Sequence, residues 1–130
     1  MKILRFIAPL LFIAFISCQP NQYGDKYRFD QLEIYASGKI EEPMVNDLHT
    51  FMQKHDLLTG EHQSIQLVKL ENKYILKLVK SKNVDTVPMT DAEKEAFLEL
   101  SEKLQIEVLD GQICEIHLAS NTFKTIQILA

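Results

Sequence analysis

The chain has 130 residues, with 18 acidic against 14 basic side chains, four glycines, two cysteines and no tryptophan. That length suits one domain of ordinary size, and a formal charge of −4 without any Lys/Arg block argues against nucleic acid, whose phosphates demand gathered cations, and against docking on anionic lipid. The scattered glycines offer no loop that could bring backbone N–H groups close to a nucleotide phosphate, and no Gly-x-Ser-x-Gly or Cys-x-x-Cys spacing occurs.

The N-terminus carries Lys2 and Arg5, an apolar run from Phe6 to Ile16, and then Ser17 and Cys18. A charged end, a short apolar core and a small residue before the cut is the order of a secretory signal. As a helix the apolar run covers only about 16 Å, half of a hydrocarbon core, so a permanent transmembrane helix is not expected. An ordinary signal peptidase wants small residues at the third and first positions before its cut, and Phe15 fails the first requirement. Phe15-Ile16-Ser17-Cys18 instead resembles the lipobox of bacterial lipoproteins, although Phe15 stands where that pattern usually has Leu and Ile16 where it has Ala or Ser. The resemblance covers only residues 1–18. It implies cleavage after a signal peptide of residues 1–17, acylation of Cys18 with palmitate-type chains, and attachment to a lipid bilayer in the bacterial cell envelope. Two or more chains suffice for durable anchoring. Gln19 is not the aspartate of inner-membrane retention, so the outer membrane, on its periplasmic side, is the expected location. The alternative is an uncleaved anchor in which Cys18 is a free thiol.

Loss of residues 1–17 would leave 113 residues and remove two of the 14 cations, so that 12 face 18 acidic groups for a net −6. An acylated Cys18 would leave Cys114 without an intramolecular partner, so no disulfide framework is expected. Residues 18–26 are polar, contain Pro20 and Gly24, and read as an acylated N-terminus and tether before a domain spanning 27–130.

Within that domain, YRFDQLEIYAS alternates Leu32, Ile34 and Ala36 with Glu33, Tyr35 and Ser37, the period of a half-buried strand. Met44, Leu48, Phe51, Met52, His55 and Leu58 line one face of a helix, with Pro43 in the first turn and Gly60 as the expected C-terminal cap. In SIQLVKLENKYILKLV a two-residue turn at Glu71-Asn72 would set Ile65 opposite Leu78 and Leu67 opposite Leu76 on a core face. Val68 with Ile75 and Gln66 with Lys77 would then occupy a largely solvated one. After the turn-rich SKNVDTVP, Thr90 and Glu93 form a capping box for a second helix whose buried stripe is Ala96, Phe97, Leu100 and Leu104. Ile106, Val108 and Leu109 read as a short strand before the turn at Asp110-Gly111, and ICEIHLA with FKTIQIL as a last hairpin. Its register is open, because pairing Ile116 and Leu118 with Ile128 and Ile126 needs a three-residue loop.

The order β-α-ββ-α-ββ predicts a single two-layer α+β domain, an antiparallel sheet of five to six strands with two helices on one face. A helix-plus-hairpin unit recurs at about 44–80 and 91–128, which allows an internal duplication but is also what any such domain looks like.

Few residues carry chemistry. His49 and His55 are six apart and cannot share a metal from one helix face, and His62 meets His55 only if the Gly60 turn folds back, so neither a metal nor a cofactor is expected. Glu115 and His117 lie on one face of a strand, with Asp110 near in sequence; a carboxylate beside an imidazole supports acid–base work, and equally arises on any solvated strand face. Cys114 falls on the other face and reads as a core thiol rather than a nucleophile. Tyr27, Phe29 and Tyr35 share a strand face with Gln31 and Glu33, a mix suited to a peptide, a glycan or another envelope protein, or to packing under a helix. Three functions follow. The first is a membrane-tethered, non-catalytic binding or accessory module. The second is a small periplasmic hydrolase using Glu115 and His117. The third is an inhibitor-like protein that acts through a hairpin tip, Glu71-Asn72 or Ser120-Asn121.

Overall fold

The computed structural model describes residues 22–80 and 88–130. The signal, the lipobox-like stretch and Cys18 lie outside the described residues, as does most of SKNVDTVP. The elements are β1 (Asp25–Phe29), β2 (Leu32–Ser37), α1 (Glu42–Lys54), β3 (Gln63–Lys69), β4 (Tyr74–Val79), α2 (Asp91–Glu107), β5 (Cys114–Ala119) and β6 (Thr125–Ile128).

This is an α+β fold with a six-stranded sheet in the order β1-β2-β3-β4-β5-β6. The expected antiparallel sheet is corrected to a mixed one, since β2 pairs with β3 and β4 with β5 in parallel while the three hairpins are antiparallel. The physical reason is the position of the helices. Each stands between two strands that become neighbours, and a helical crossover returns the chain to the end where it started.

The stretch read as a single first strand is itself a hairpin. Phe29 pairs with Leu32 around Asp30-Gln31, and Asp30 takes φ 54°, a left-handed conformation that Asp tolerates better than most residues. A two-residue turn shifts the parity of everything after it. Tyr27 and Phe29 therefore share a face with Ile34 and Leu32 and pack on the core, while Tyr35 sits opposite Lys26 on the other face. The predicted grouping of Tyr27, Phe29 and Tyr35 does not form. Asp25 and Lys26, read from the sequence as tether, belong to the strand.

Helix α1 starts at Glu42 with Pro43 in its first turn and buries Val45, Leu48, Phe51 and Met52. It stops earlier than the Gly60 cap implied. Asp56 at φ 57° supplies the left-handed residue, Leu57 N–H donates to Met52 O at 2.9 Å and Asp56 N–H to Gln53 O at 3.3 Å, the pair of bonds that closes a Schellman motif. The Thr90–Glu93 capping box forms as read. Ile106 lies within α2 and Val108 is its C-cap, so the expected short strand is replaced by helix; Val108 and Leu109 are buried directly after it. Ala96 faces solvent, and Ser101 takes its place in the buried stripe with Leu104. The Ser101 hydroxyl donates to Cys114 O at 2.5 Å and so ties α2 to β5.

Side chains of both helices enter one core with Ile34, Ile65, Leu67, Leu76 and Ile116. The β3–β4 register is the one predicted, with Ile65 opposite Leu78, Leu67 opposite Leu76 and Val68 opposite Ile75. The last hairpin pairs His117 with Ile128 and Leu118 with Gln127, then slips by one at a bulge between Leu118 and Ala119.

Candidate functional site

Register also determines which side chains adjoin on the sheet face away from that core. Lys26, Tyr35, Gln66, Lys77, His117 and Ile128 stand in one row across the six strands. This face was expected to be largely solvated, but Glu33, Gln66 and His117 are buried. The reason lies at both ends of the described chain. Tyr23, ahead of β1, and Phe123, in the β5–β6 turn, fold over the row and meet edge-on with centroids 5.3 Å apart. Tyr35 completes the cluster at 5.3 Å from Phe123 and 6.1 Å from Tyr23. Polar groups beneath fasten the two segments. Gln66 Nε2 donates to Tyr23 O and Lys77 Nζ to Phe123 O, each at 2.8 Å. An aromatic inside a polar N-terminal stretch, and another inside a turn, were the only signals of this lid available in the sequence.

Glu115 and His117 do come together. Glu115 Oε1 lies 2.9 Å from His117 Nε2, His117 Nδ1 lies 2.8 Å from Thr125 Oγ1, and Lys73 Nζ donates to Glu115 Oε2. Thr125 was not anticipated, because its approach depends on the β5–β6 pairing. The Lys73 hydrogen bond, followed by that of His117, holds the Glu115 carboxyl below the usual glutamate range. A hydroxyl, an imidazole and a carboxylate in line have the composition of a nucleophile relay. Both imidazole nitrogens are already engaged, and among the described residues three grooves are lined by other side chains than Glu115, His117, Thr125 and Lys73. Asp110 is not part of this constellation. It lines a groove at the other side of the core with Lys39, Glu41, Asp47, Lys69 and Tyr74.

The remaining sequence candidates are accounted for by packing. His49 stacks on Phe29 with centroids 4.2 Å apart, and His55 tilts against Phe51 while its Nε2 meets Glu107 at 3.0 Å. Cys114 is buried in the core, which pushes its thiol up to about 12. Among the described residues no group of three His, Cys, Asp or Glu side chains could hold a metal ion, and no helix is long and apolar enough to cross a membrane.

Among the described residues a groove of about 650 Å³ lies where α1, the middle of α2, the start of β3 and the end of β4 meet. Phe51, Leu57, Leu76, Leu78, Phe97 and Leu100 supply its apolar wall. Its polar rim includes Thr59, Glu61, His62, Ser64 and Asn121. An apolar floor of this volume with a few polar groups at one side is how pockets for small amphipathic ligands are usually built. Comparison with protein-family models, curated protein sequences and solved structures finds no match for this chain.

Proposed function

We propose that this chain is a lipid-anchored bacterial envelope protein whose domain, two layers with both helices over one sheet face, binds a ligand and carries out no chemistry. The anchor reading rests on Lys2, Arg5, the Phe6–Ile16 run and Cys18. It puts the domain at the periplasmic side of the outer membrane. The observation that carries the binding reading is the groove beside Phe51, Phe97 and Leu100: its wall suits an apolar body, and its rim of Glu61, His62 and Ser64 suits a polar head. Catalysis at Glu115 and His117 is the weaker reading, because the pair satisfies its own hydrogen bonds away from that groove.

The test has two parts. Intact mass and membrane fractionation of the full chain beside a Cys18→Ser variant should show a mature start at Cys18 and acyl chains that the variant lacks. Titration with a naphthalene-sulfonate fluorophore and with a series of fatty acids should then saturate at one site, and Phe97→Ala should weaken it. A chain that binds none of these probes, with hydrolysis of model esters abolished by His117→Gln, would replace the binding reading with the enzymatic one.

A further inference from the structure

The two sides of the molecule differ in charge. The helices carry eight acidic side chains, from Glu42 and Asp47 through Asp91, Glu93, Glu95, Glu99, Glu102 and Glu107, against three lysines. On the far sheet face the register gathers Lys26 and Arg28 from β1, Lys77 from β4 and Lys73 beside it, against Glu33 and Glu115. No Lys/Arg block exists in the sequence because these cations come from separate strands. In the same row Ile128, opposite His117, is 59 % exposed, and Ile113 just before β5 and Leu70 just after β3 are exposed at the strand ends.

We propose that this basic, aliphatic-studded sheet face lies on the headgroup layer of the membrane that holds the lipid; the inference rests on the anchor reading above. Chain length supplies the argument for the occupant. Tyr23 is held on this face, through its carbonyl to Gln66 and its ring to Tyr35 and Phe123. Only four residues lie between it and Cys18. Whatever conformation they take, the five steps from Cys18 to Tyr23 reach at most about 18 Å, and the acyl-bearing end must itself cross a headgroup layer of roughly 5–8 Å. The lid of the sheet is thus kept within about one Debye length of the bilayer surface, where lysines and arginines are drawn to anionic lipid and tyrosines settle at the interface. The acidic helices and the ligand groove then face away from the membrane, open to the aqueous compartment.

Because the chain has no tryptophan, one introduced residue reports its own depth. Acylated full chains carrying Ile128→Trp on the sheet face or Leu98→Trp on α2 are reconstituted in phosphatidylethanolamine vesicles with about a quarter phosphatidylglycerol, with and without lipids brominated near the headgroup. The expected result is that Ile128→Trp loses roughly half its emission, as a ring at interfacial depth should, and that Leu98→Trp keeps its own. Adding Lys26→Glu and Arg28→Glu should then reduce the quenching. Equal quenching of both reporters, in chains whose mass shows the acyl groups, overturns the inference and leaves the anchor standing. A blue-shifted but unquenched Ile128→Trp overturns it too, since a protein, a second copy included, then covers the face. A mass without acyl chains overturns the anchor and this inference together.

Discussion

Replacing Phe123 by alanine tests whether the far sheet face is covered as the aromatic lid requires. The ring is 6 % exposed and meets two tyrosine rings at 5.3 Å. A buried phenylalanine withdraws at least about 150 Å² from water, worth roughly 4 kcal/mol at about 25 cal/mol per Å². Alanine keeps the first carbon, and the unfolded chain already hides part of that area, which brings the expected loss to about 3 kcal/mol. Backbone strain cancels in the comparison: position 123 has φ 61°, and alanine adopts it no more readily than phenylalanine. For a domain of this size about 1 kcal/mol corresponds to roughly 4–6 °C, so Tm should fall by about 12–18 °C in circular-dichroism melts of the full chain. Leu98→Ala, at a side chain 55 % exposed on α2, serves as control and should stay within about 0.5 kcal/mol. A fall of less than about 4 °C for Phe123→Ala would refute the reasoning, because it would mean that the ring contributes no more than an ordinary surface side chain.

Ser101→Ala leaves the buried Cys114 carbonyl without its hydroxyl donor, and should lower stability by about 1–3 kcal/mol in urea unfolding; an unchanged midpoint would show that water replaces the bond. Glu115 has its carboxyl held below the usual range by Lys73 and His117, so the stability it supplies is fully present above the unfolded-state glutamate value and is lost as pH falls through the depressed one. Stability should therefore decline on acidification below about pH 4.5 more steeply in the parent chain than in Glu115→Gln, and parallel pH profiles would count against the ion pair. Cys114, buried with its thiol pushed up to about 12, should resist an aromatic disulfide reagent at pH 8 in the folded chain and react once urea unfolds it. Fast reaction of Cys114 in the folded chain would show that β5 opens.

Tyr23 and Phe123 cover the far sheet face through contacts distant in sequence, whereas much of the fold is local. Features whose cause lies within a few residues were legible. A two-residue turn at Glu71-Asn72 leaves one pairing for Ile65, Leu67 and Val68, and a hydroxyl three residues before a carboxylate starts α2 at Thr90. Apolar periodicity picked out the buried face of α1, and alternation put Glu115 and His117 together with Cys114 on the other side. The first hairpin is the opposite case. Asp30-Gln31 has no glycine to announce a turn, so one strand was seen where two pair, and the parity of Tyr27, Phe29 and Tyr35 was lost.

Short-range physics, the helical and strand periods, caps and tight turns, therefore made legible the bodies of the two helices, the central hairpin and the core faces of β2 to β5. Tertiary structure alone decided that β2 runs parallel to β3 and β4 to β5, since parallel pairing depends on how a crossover helix packs. It also decided what lies on the far side of the sheet. The bonds from Gln66 to Tyr23 and from Lys77 to Phe123 join positions 43 and 46 residues apart, and the cations of that face come from different strands. Contacts of such separation leave no periodic trace, because each becomes favourable only after the strands between them have assembled.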